Sequence, residues 1–297
     1  MNIINNPVIK LKENIDKNDY KEINDLKNIC IDYGKTYLKL EIDYKLSNAN
    51  KNSDNINQIN EFMFYENNKL VGYIGICSFG GDALEVNGMV HPDYRRKGIF
   101  TRLFSLVKDE FNKRDIKEML LLSDRNSIAG TEFIKKVCSD HDHSEYDMNL
   151  DMESVNELKF ENVVFRKATL EDVNKIAKEN FEFFYEYDLE GIDDNENDNS
   201  NSSNYTYVME IDDVVIGKSR LEINDNIGGI YGLEVLPNYR GKGYGRELLI
   251  NSIIKLKESN VKGITLQVET KNKNALNLYL SSGFKENYTM DYYSLKK

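Results

Sequence analysis

Seven consecutive residues, Arg240-Gly241-Lys242-Gly243-Tyr244-Gly245-Arg246, combine three glycines with three cations. Between a strand and a helix, such a run aims several backbone N–H groups outward at a helix N-terminus, unshielded by side chains, which makes a site for a phosphate or pyrophosphate. Gly241, Gly243 and Gly245 let the backbone approach the anion, while Arg240, Lys242 and Arg246 add positive charge. Glycine also opens helices for packing reasons alone, so the loop by itself leaves both readings standing. A second pattern lies downstream. Asn272, Ala275 and Tyr279 stand at i, i+3 and i+7 and therefore share one helix face.

The elements that must position these residues follow from hydrophobic periodicity and turn signals. Val163 to Arg166 reads as a strand, and Thr169 with Asp172 three residues on caps a helix expected through about Phe184. Tyr205 to Ile211, the Asp212-Asp213 turn and Val214 to Ile223 form a hairpin. Ile230 to Val235 is a strand that runs into the glycine loop, and the helix after it buries Leu248, Leu249, Ile253, Ile254 and Leu256. Ile264 to Val268 is a further strand, followed by a helix from about Asn274 to Ser281, with Gly283 at its C-cap and Phe284 to Leu295 as the final strand.

The same order occurs twice. Val90-His91-Pro92-Asp93-Tyr94-Arg95-Arg96-Lys97-Gly98 recurs 145 residues later as Val235-Leu236-Pro237-Asn238-Tyr239-Arg240-Gly241-Lys242-Gly243. Upstream, Lys69-Leu70-Val71-Gly72-Tyr73 matches Val214-Val215-Ile216-Gly217-Lys218. The sequence thus describes two copies of one α/β (α+β) domain, residues 1–155 and 160–297, with a linker near Met152 to Leu158. The first copy adds a long helix from Asp19 to Tyr33 and an Asn-rich insertion at Ser47 to Asn57.

Composition bounds the function. The chain has 297 residues, enough for two domains, with 40% hydrophobic and 30% charged residues, the balance of a folded soluble protein. A formal net charge of -11 ranks nucleic-acid binding low. No apolar run approaches the ~20 residues of a membrane span, and Met1 to Asp16 lacks a signal-peptide core, so a cytoplasmic protein is expected. Cys30, Cys77 and Cys138 show no C-x-x-C spacing and read as reduced core residues; Cys138, His141 and His143 lack a second pair of ligands, and no metal is expected.

The glycine loop together with Asn272, Ala275, Leu278-Tyr279 and Gly283-Phe284, in this order, resembles the GNAT superfamily of N-acetyltransferases, and the repeat extends the likeness over nearly the whole chain. The resemblance implies two tandem GNAT-like domains, each a mixed, mostly antiparallel sheet flanked by helices. It also implies acetyl-CoA between the strand ending at Val235 and the strand Ile264 to Val268. Its pantetheine arm would bond the backbone of Leu233 and Val235, its pyrophosphate the amides of Gly241 to Gly245, with Arg240, Lys242, Tyr244 and Arg246 alongside. Asn272 would contact the cofactor further along, and Tyr279 would face the sulfur. A thiolate leaving group has a conjugate acid of pKa about 8.5 and a tyrosine titrates near about 10, so a tyrosine hydroxyl is protonated at neutral pH and can donate to that sulfur. Tyr279 is equally one of 19 tyrosines and can simply fill a core.

The base is not fixed. The carboxylate that the family often carries early on this strand falls on Gly229, which leaves Glu222, Tyr231, Glu234 or a relaying water. Simple alternation puts Tyr231 on the face of Leu233 and Gly229 and turns Glu234 the other way. In the first copy Phe100 stands for Gly245 and Phe133 for Tyr279, while Asn126 and Ala129 match Asn272 and Ala275. The N-terminal copy is therefore read as degenerate and non-catalytic, shaping the structure or the substrate site and able to hold CoA, with the C-terminal copy carrying acetyl transfer to a primary amine of a small molecule or peptide.

Between Tyr185 and Tyr205, Glu186, Asp188, Glu190, Asp193, Asp194, Glu196 and Asp198 stand without a Lys or Arg. They are either an acidic lip for a cationic amine or a solvated loop. The alternative to an enzyme is an acyl-CoA-binding sensor or assembly module. No membrane or nucleic-acid partner is expected, and the protein is read as a monomer or homodimer.

Overall fold

The computed structural model describes residues 5–48, 58–79, 83–137, 140–152, 163–177, 192, 204–224 and 226–297. These form two compact units, one of residues 1–144 with 288–297 and one of residues 145–287.

In the first unit the sheet runs β1 (Pro7–Lys12), β2 (Glu61–Glu66), β3 (Lys69–Cys77), β4 (Ala83–Val90), β5 (Glu118–Asp124) and β12 (Phe284–Lys296). All neighbours are antiparallel except β4 and β5. Strand β2 is buried along its whole length, because both faces of the sheet are covered. Phe62 and Phe64 meet Leu103 and Val107 of α3 (Ile99–Lys113) and Ile134 of α4 (Ile128–Val137) on one face. On the other, Met63 and Tyr65 meet Ile23 and Leu26 of α1 (Lys17–Gly34) and Ile42 of α2 (Ile42–Asn48). Asp16 and Asp19 close a capping box at the start of α1.

The second unit repeats the plan, with strand order β6 (Asp140–Leu150), β11 (Gly263–Glu269), β10 (Ile227–Val235), β9 (Val214–Asn224), β8 (Asn204–Ile211) and β7 (Val164–Lys167). Only β10 and β11 are parallel. Helix α5 (Leu170–Ala177) starts with the expected Thr169/Asp172 box, the Thr169 N–H donating to Asp172 Oδ2 at 2.8 Å; its expected continuation to Phe184 lies outside the described residues. Asp212 and Asp213 adopt φ 49° and 63°, the left-handed pair that a tight hairpin turn requires. Helices α6 (Tyr244–Glu258) and α7 (Lys273–Ser281) pack Leu249, Ile253, Leu256 and Leu276 on Ile230, Ile264, Leu266 and Val268.

The sequence division at 155/160 differs from these units. Residues 145–149 of β6 pair with β11 in the second unit, while Met290 to Lys296 of β12 pair with β5 in the first. The final strand of each copy thus completes the sheet of the other, an exchange that a repeat in sequence does not reveal because either pairing satisfies the same local pattern.

Candidate functional site

The parallel ladder between β10 and β11 covers only Ile227–Ile230 against Gly263–Leu266, although β10 continues to Val235 and β11 to Glu269. The strands therefore part after Ile230. A turn at Pro237–Tyr239 leads into the glycine loop, and Gly243 caps α6 with φ 93° after Gly241 at φ 75°. A side chain is strained at both. Gly245 is different: a Cβ there would meet only Leu278 Cδ2 at 3.6 Å, an ordinary contact, so the protein itself does not require glycine at that position.

The three cations are placed unequally. Arg240 turns back on its own strand, with Nε donating to the Val235 carbonyl at 2.7 Å and Nη2 to Glu234 at 3.2 Å. The Val235 carbonyl thus already accepts one bond. Lys242 lies over the Tyr239 ring, 5.5 Å from its centroid, with Tyr244 beside that ring. Arg246 reaches the end of α7, donating to Ser281 Oγ at 2.7 Å and Ser282 Oγ at 3.1 Å, which ties the two helices together.

On α7, Asn272 is the N-cap, its Oδ1 accepting from the Ala275 N–H at 3.1 Å. Tyr279 is 7% exposed and belongs to the cluster that holds Ile230, Leu266 and Val268, with Phe284 edge-on at 6.0 Å. Its hydroxyl has no hydrogen-bond partner among the described residues. Burial pushes its pKa up to about 12.

The strand face corrects the alternation expected from sequence. Between Tyr231 and Glu234, β10 carries a bulge, so that Tyr231 lies opposite Arg220 and Glu234 opposite Lys218. Arg220 and Lys218 share a face of β9, so Tyr231 and Glu234 share one too, opposite to Leu233, which packs in the core under α6. Gly232, at φ 53°, provides the extra residue and was the signal available in the sequence. The Tyr231 ring covers Gly229, where an added Cβ would meet its Cε2 at 2.4 Å. Arg220 lies 5.0 Å from that ring and pairs with Glu222. Of the base candidates, Glu222 and Tyr231 are thus brought together on one face, while Glu234 is engaged by Arg240. The acidic stretch from Glu186 to Asp198 lies outside the described residues.

The first unit has the corresponding opening. The β4–β5 ladder ends at Val86 and Leu121, and beyond it lies a cavity of about 570 Å³ bounded by Asn87 to Val90, the Arg95 to Gly98 turn, α3 and α4. Arg95 Nε donates to the Val90 carbonyl at 3.1 Å, repeating the Arg240 bond, and Gly98 caps α3 with φ 80° where Gly243 caps α6. Arg96 takes the place of Gly241 and adopts φ 63°. Phe100 and Phe133, the residues that replace Gly245 and Tyr279, touch each other edge to face at 4.6 Å and both border the cavity. Strand β4 has no bulge, and its register sets Glu85 opposite Cys77. Cys77 corresponds to Glu222 in the repeat, so Glu85 occupies the place that Gly229 holds in the second unit. Counting along the sequence hides this, because the bulge shifts the second copy by one residue.

Among the described residues, no group of three or more His, Cys, Asp and Glu is arranged to hold a metal, and no helix is long and apolar enough to cross a membrane. Cys30 and Cys77 are buried free thiols, and Cys138 lies outside the described residues.

Two pairs of splayed parallel strands, one in each unit, with the first strand of each pair continued by a glycine-capped helix, define a tandem acetyltransferase fold. The sequence matches the acetyltransferase (GNAT) family twice, over residues 27–138 and 170–284, and the chain belongs to that family. Over its full length it is similar to a GCN5-related N-acetyltransferase from Sphaerobacter thermophilus, with a TM-score of 0.70, 13% identity and coverage of 98% and 95% of the two chains. It is also similar to a tandem GNAT protein from the clavulanic acid biosynthesis pathway, with a TM-score of 0.69, 11% identity and 98% coverage of both chains. These likenesses concern the fold. A segment of 57 residues is 40% identical to a mycothiol acetyltransferase from Propionibacterium freudenreichii subsp. shermanii, covering 19% of this chain and 18% of that relative's length.

Proposed function

We propose that the protein is an acetyl-CoA-dependent N-acetyltransferase whose C-terminal unit transfers the acetyl group to a primary amine of a small molecule or peptide by direct attack on the thioester. The observation that carries this is the Tyr279 hydroxyl, hydrogen-bonded to no described residue and set among the side chains that line the parting of β10 and β11. The amide-rich start of α6, with Gly241 and Gly243 in left-handed conformations, supports a pyrophosphate site there, with Lys242 an exposed cation beside it. Asn272 contributes by fixing the start of α7.

In the reaction the amine nitrogen forms a bond to the carbonyl carbon, the C–S bond breaks and sulfur leaves as thiolate, while the proton on nitrogen passes to the Glu222 carboxylate or through a relaying water to solvent. With a pKa of about 12, Tyr279 keeps its proton. Full transfer to a thiolate whose conjugate acid has a pKa of about 8.5 would be uphill by about 5 kcal/mol. Its role is therefore to donate a hydrogen bond to the developing negative charge on sulfur. Glu222 and Tyr231 line the amine side. Titration of acetyl-CoA into the wild type and into Gly243→Glu, which sets a carboxylate against the phosphate site, tests the placement. Loss of one bound equivalent in the variant supports it, and unchanged binding refutes it.

A second reading has its own support. The first unit combines the open cavity with Glu85 at the place of Gly229, so transfer in that unit with Glu85 as proton acceptor predicts loss of turnover in Glu85→Gln and none in Tyr279→Phe.

A further inference from the structure

Lys39 follows directly on Thr36 to Leu38, a stretch that borders the cavity of the first unit. Its side chain is 10% exposed, so it is not one of the freely moving surface lysines. Nζ donates to the Tyr292 hydroxyl at 2.8 Å and lies 3.7 Å from the Glu85 carboxylate and 3.9 Å from that of Glu41. Glu85 stands opposite Leu120 in the β4–β5 ladder, and Tyr292 opposite Leu122 in the β5–β12 ladder. Leu120 and Leu122 are alternate residues of β5, so Glu85, Tyr292 and the lysine head that touches both lie on one sheet face. That face is turned away from α3, which packs on Val86 and Leu121.

The chain thereby sets a primary amine of its own against Glu85, the proton acceptor if transfer runs in the first unit. Asn87 and Leu122 border the large cavity and also a small gap that Lys39 and Glu85 line. The amine therefore stands just behind the cavity wall, where the β4–β5 ladder ends and the strands part. A lysine head rides on a flexible four-carbon stem, so rotation about side-chain bonds carries Nζ toward the cavity while Leu38 and Leu40 keep their places. Held by the backbone beside its base, such an amine reacts without an encounter step, an advantage no amine in solution has.

We propose that the first unit, loaded with acetyl-CoA, acetylates its own Lys39. The proposal rests on the second reading above, transfer in the first unit with Glu85 as proton acceptor. Nζ passes one proton to the Glu85 carboxylate and, as a neutral amine, forms a bond to the thioester carbonyl carbon. The C–S bond breaks, and the proton that nitrogen then sheds goes to sulfur. The products are Nζ-acetyl-lysine, CoA as the thiol, and protonated Glu85. The modified side chain carries no charge, so Glu41 and Glu85 lose the cation beside them.

The test incubates the full chain with isotopically labelled acetyl-CoA and maps acetyl-lysines by peptide mass spectrometry. Lys35 and Lys113, 79% and 72% exposed, report the uncatalysed chemical background. Lys39 should be labelled on the order of tenfold or more faster than either, where burial alone would make it slower, and at a rate that does not change on dilution of the protein. Glu85→Gln should slow labelling of Lys39 by roughly 100- to 10,000-fold, the contribution of a general base, with Lys35 and Lys113 unchanged. Lys39→Arg keeps the positive charge beside Glu41 and Glu85 and should abolish the fast phase. Thermal melting identifies a variant that fails to fold, and the comparison among lysines of the wild type decides the matter without any variant. Lys39 labelled no faster than Lys35, a rate that falls on dilution, or equal labelling in folded Glu85→Gln overturns the inference. Calorimetric titration of acetyl-CoA keeps the failures apart: binding without labelling of Lys39 overturns the inference alone, and absence of binding overturns the CoA reading with it.

Discussion

Tyr279→Phe removes one oxygen atom and almost nothing else. The ring sits in the core against Phe284, 6.0 Å away, and the hydroxyl bonds to no described residue, so the variant breaks no hydrogen bond seen in the fold. Stability should change by less than about 1 kcal/mol. Catalysis should change far more, because in the proposed reaction the hydroxyl donates to sulfur only as negative charge develops there. A hydrogen bond to a charged acceptor is worth about 1.5–3 kcal/mol, so kcat should fall by roughly 10- to 150-fold, with acetyl-CoA affinity nearly unaltered. The assay follows CoA release with a thiol reagent over a panel of polyamines, aminoglycosides and peptide N-termini, beside calorimetric binding and thermal melting. Since burial holds the Tyr279 pKa at about 12, the wild-type pH–rate profile should show no loss of activity from tyrosine ionisation up to about pH 10. Equal turnover in wild type and Tyr279→Phe refutes the role, and if Glu85→Gln is then inactive, transfer belongs to the first unit.

Ending the chain after Asn287 should unfold the first unit rather than the second, because Met290 and Tyr292, 2% and 1% exposed, fill its core and Met290 to Lys296 pair with β5. The lost burial of about 1.5–3 kcal/mol per side chain, with the ladder, is comparable to a whole domain's ~5–15 kcal/mol, and limited proteolysis should cut first within residues 1–144. Acid should destabilise both units. Burial opposes the charge of Asp172 and of Asp291, but hydrogen bonds from Arg166 and Thr169 to the first, and from Arg125 and Ser144 to the second, outweigh it and hold both pKa values below the ordinary carboxylate value. A depressed folded pKa stabilises fully above the unfolded value of about 3.9 and is lost as pH falls through the folded one. Melting temperatures should therefore be flat from pH 7 to about 5 and fall below 4, and Asp172→Asn should flatten the fall for the second unit alone.

Local chemistry was written in the sequence. The glycines at 241 and 243, the Asp212-Asp213 turn and the Thr169 cap each depend on residues a few positions apart, and each stands where its pattern placed it, whereas Asn272, expected on the helix face with Ala275 and Tyr279, is the N-cap of that helix. The repeat and the family motifs then carried the fold class and the double domain. What depended on register was not legible. One extra residue at Gly232 reverses which side chains share the face of β10, and the lack of that residue in β4 places Glu85 where counting finds Leu84. The exchange of β6 and β12 was hidden as well, since two copies with the same strand pattern can pair either way and only packing selects one. The cavity beside Asn87 belongs to the same class of fact: periodicity marks Phe100 and Phe133 as apolar, but only the tertiary structure turns them against each other and leaves the space between the parted strands open.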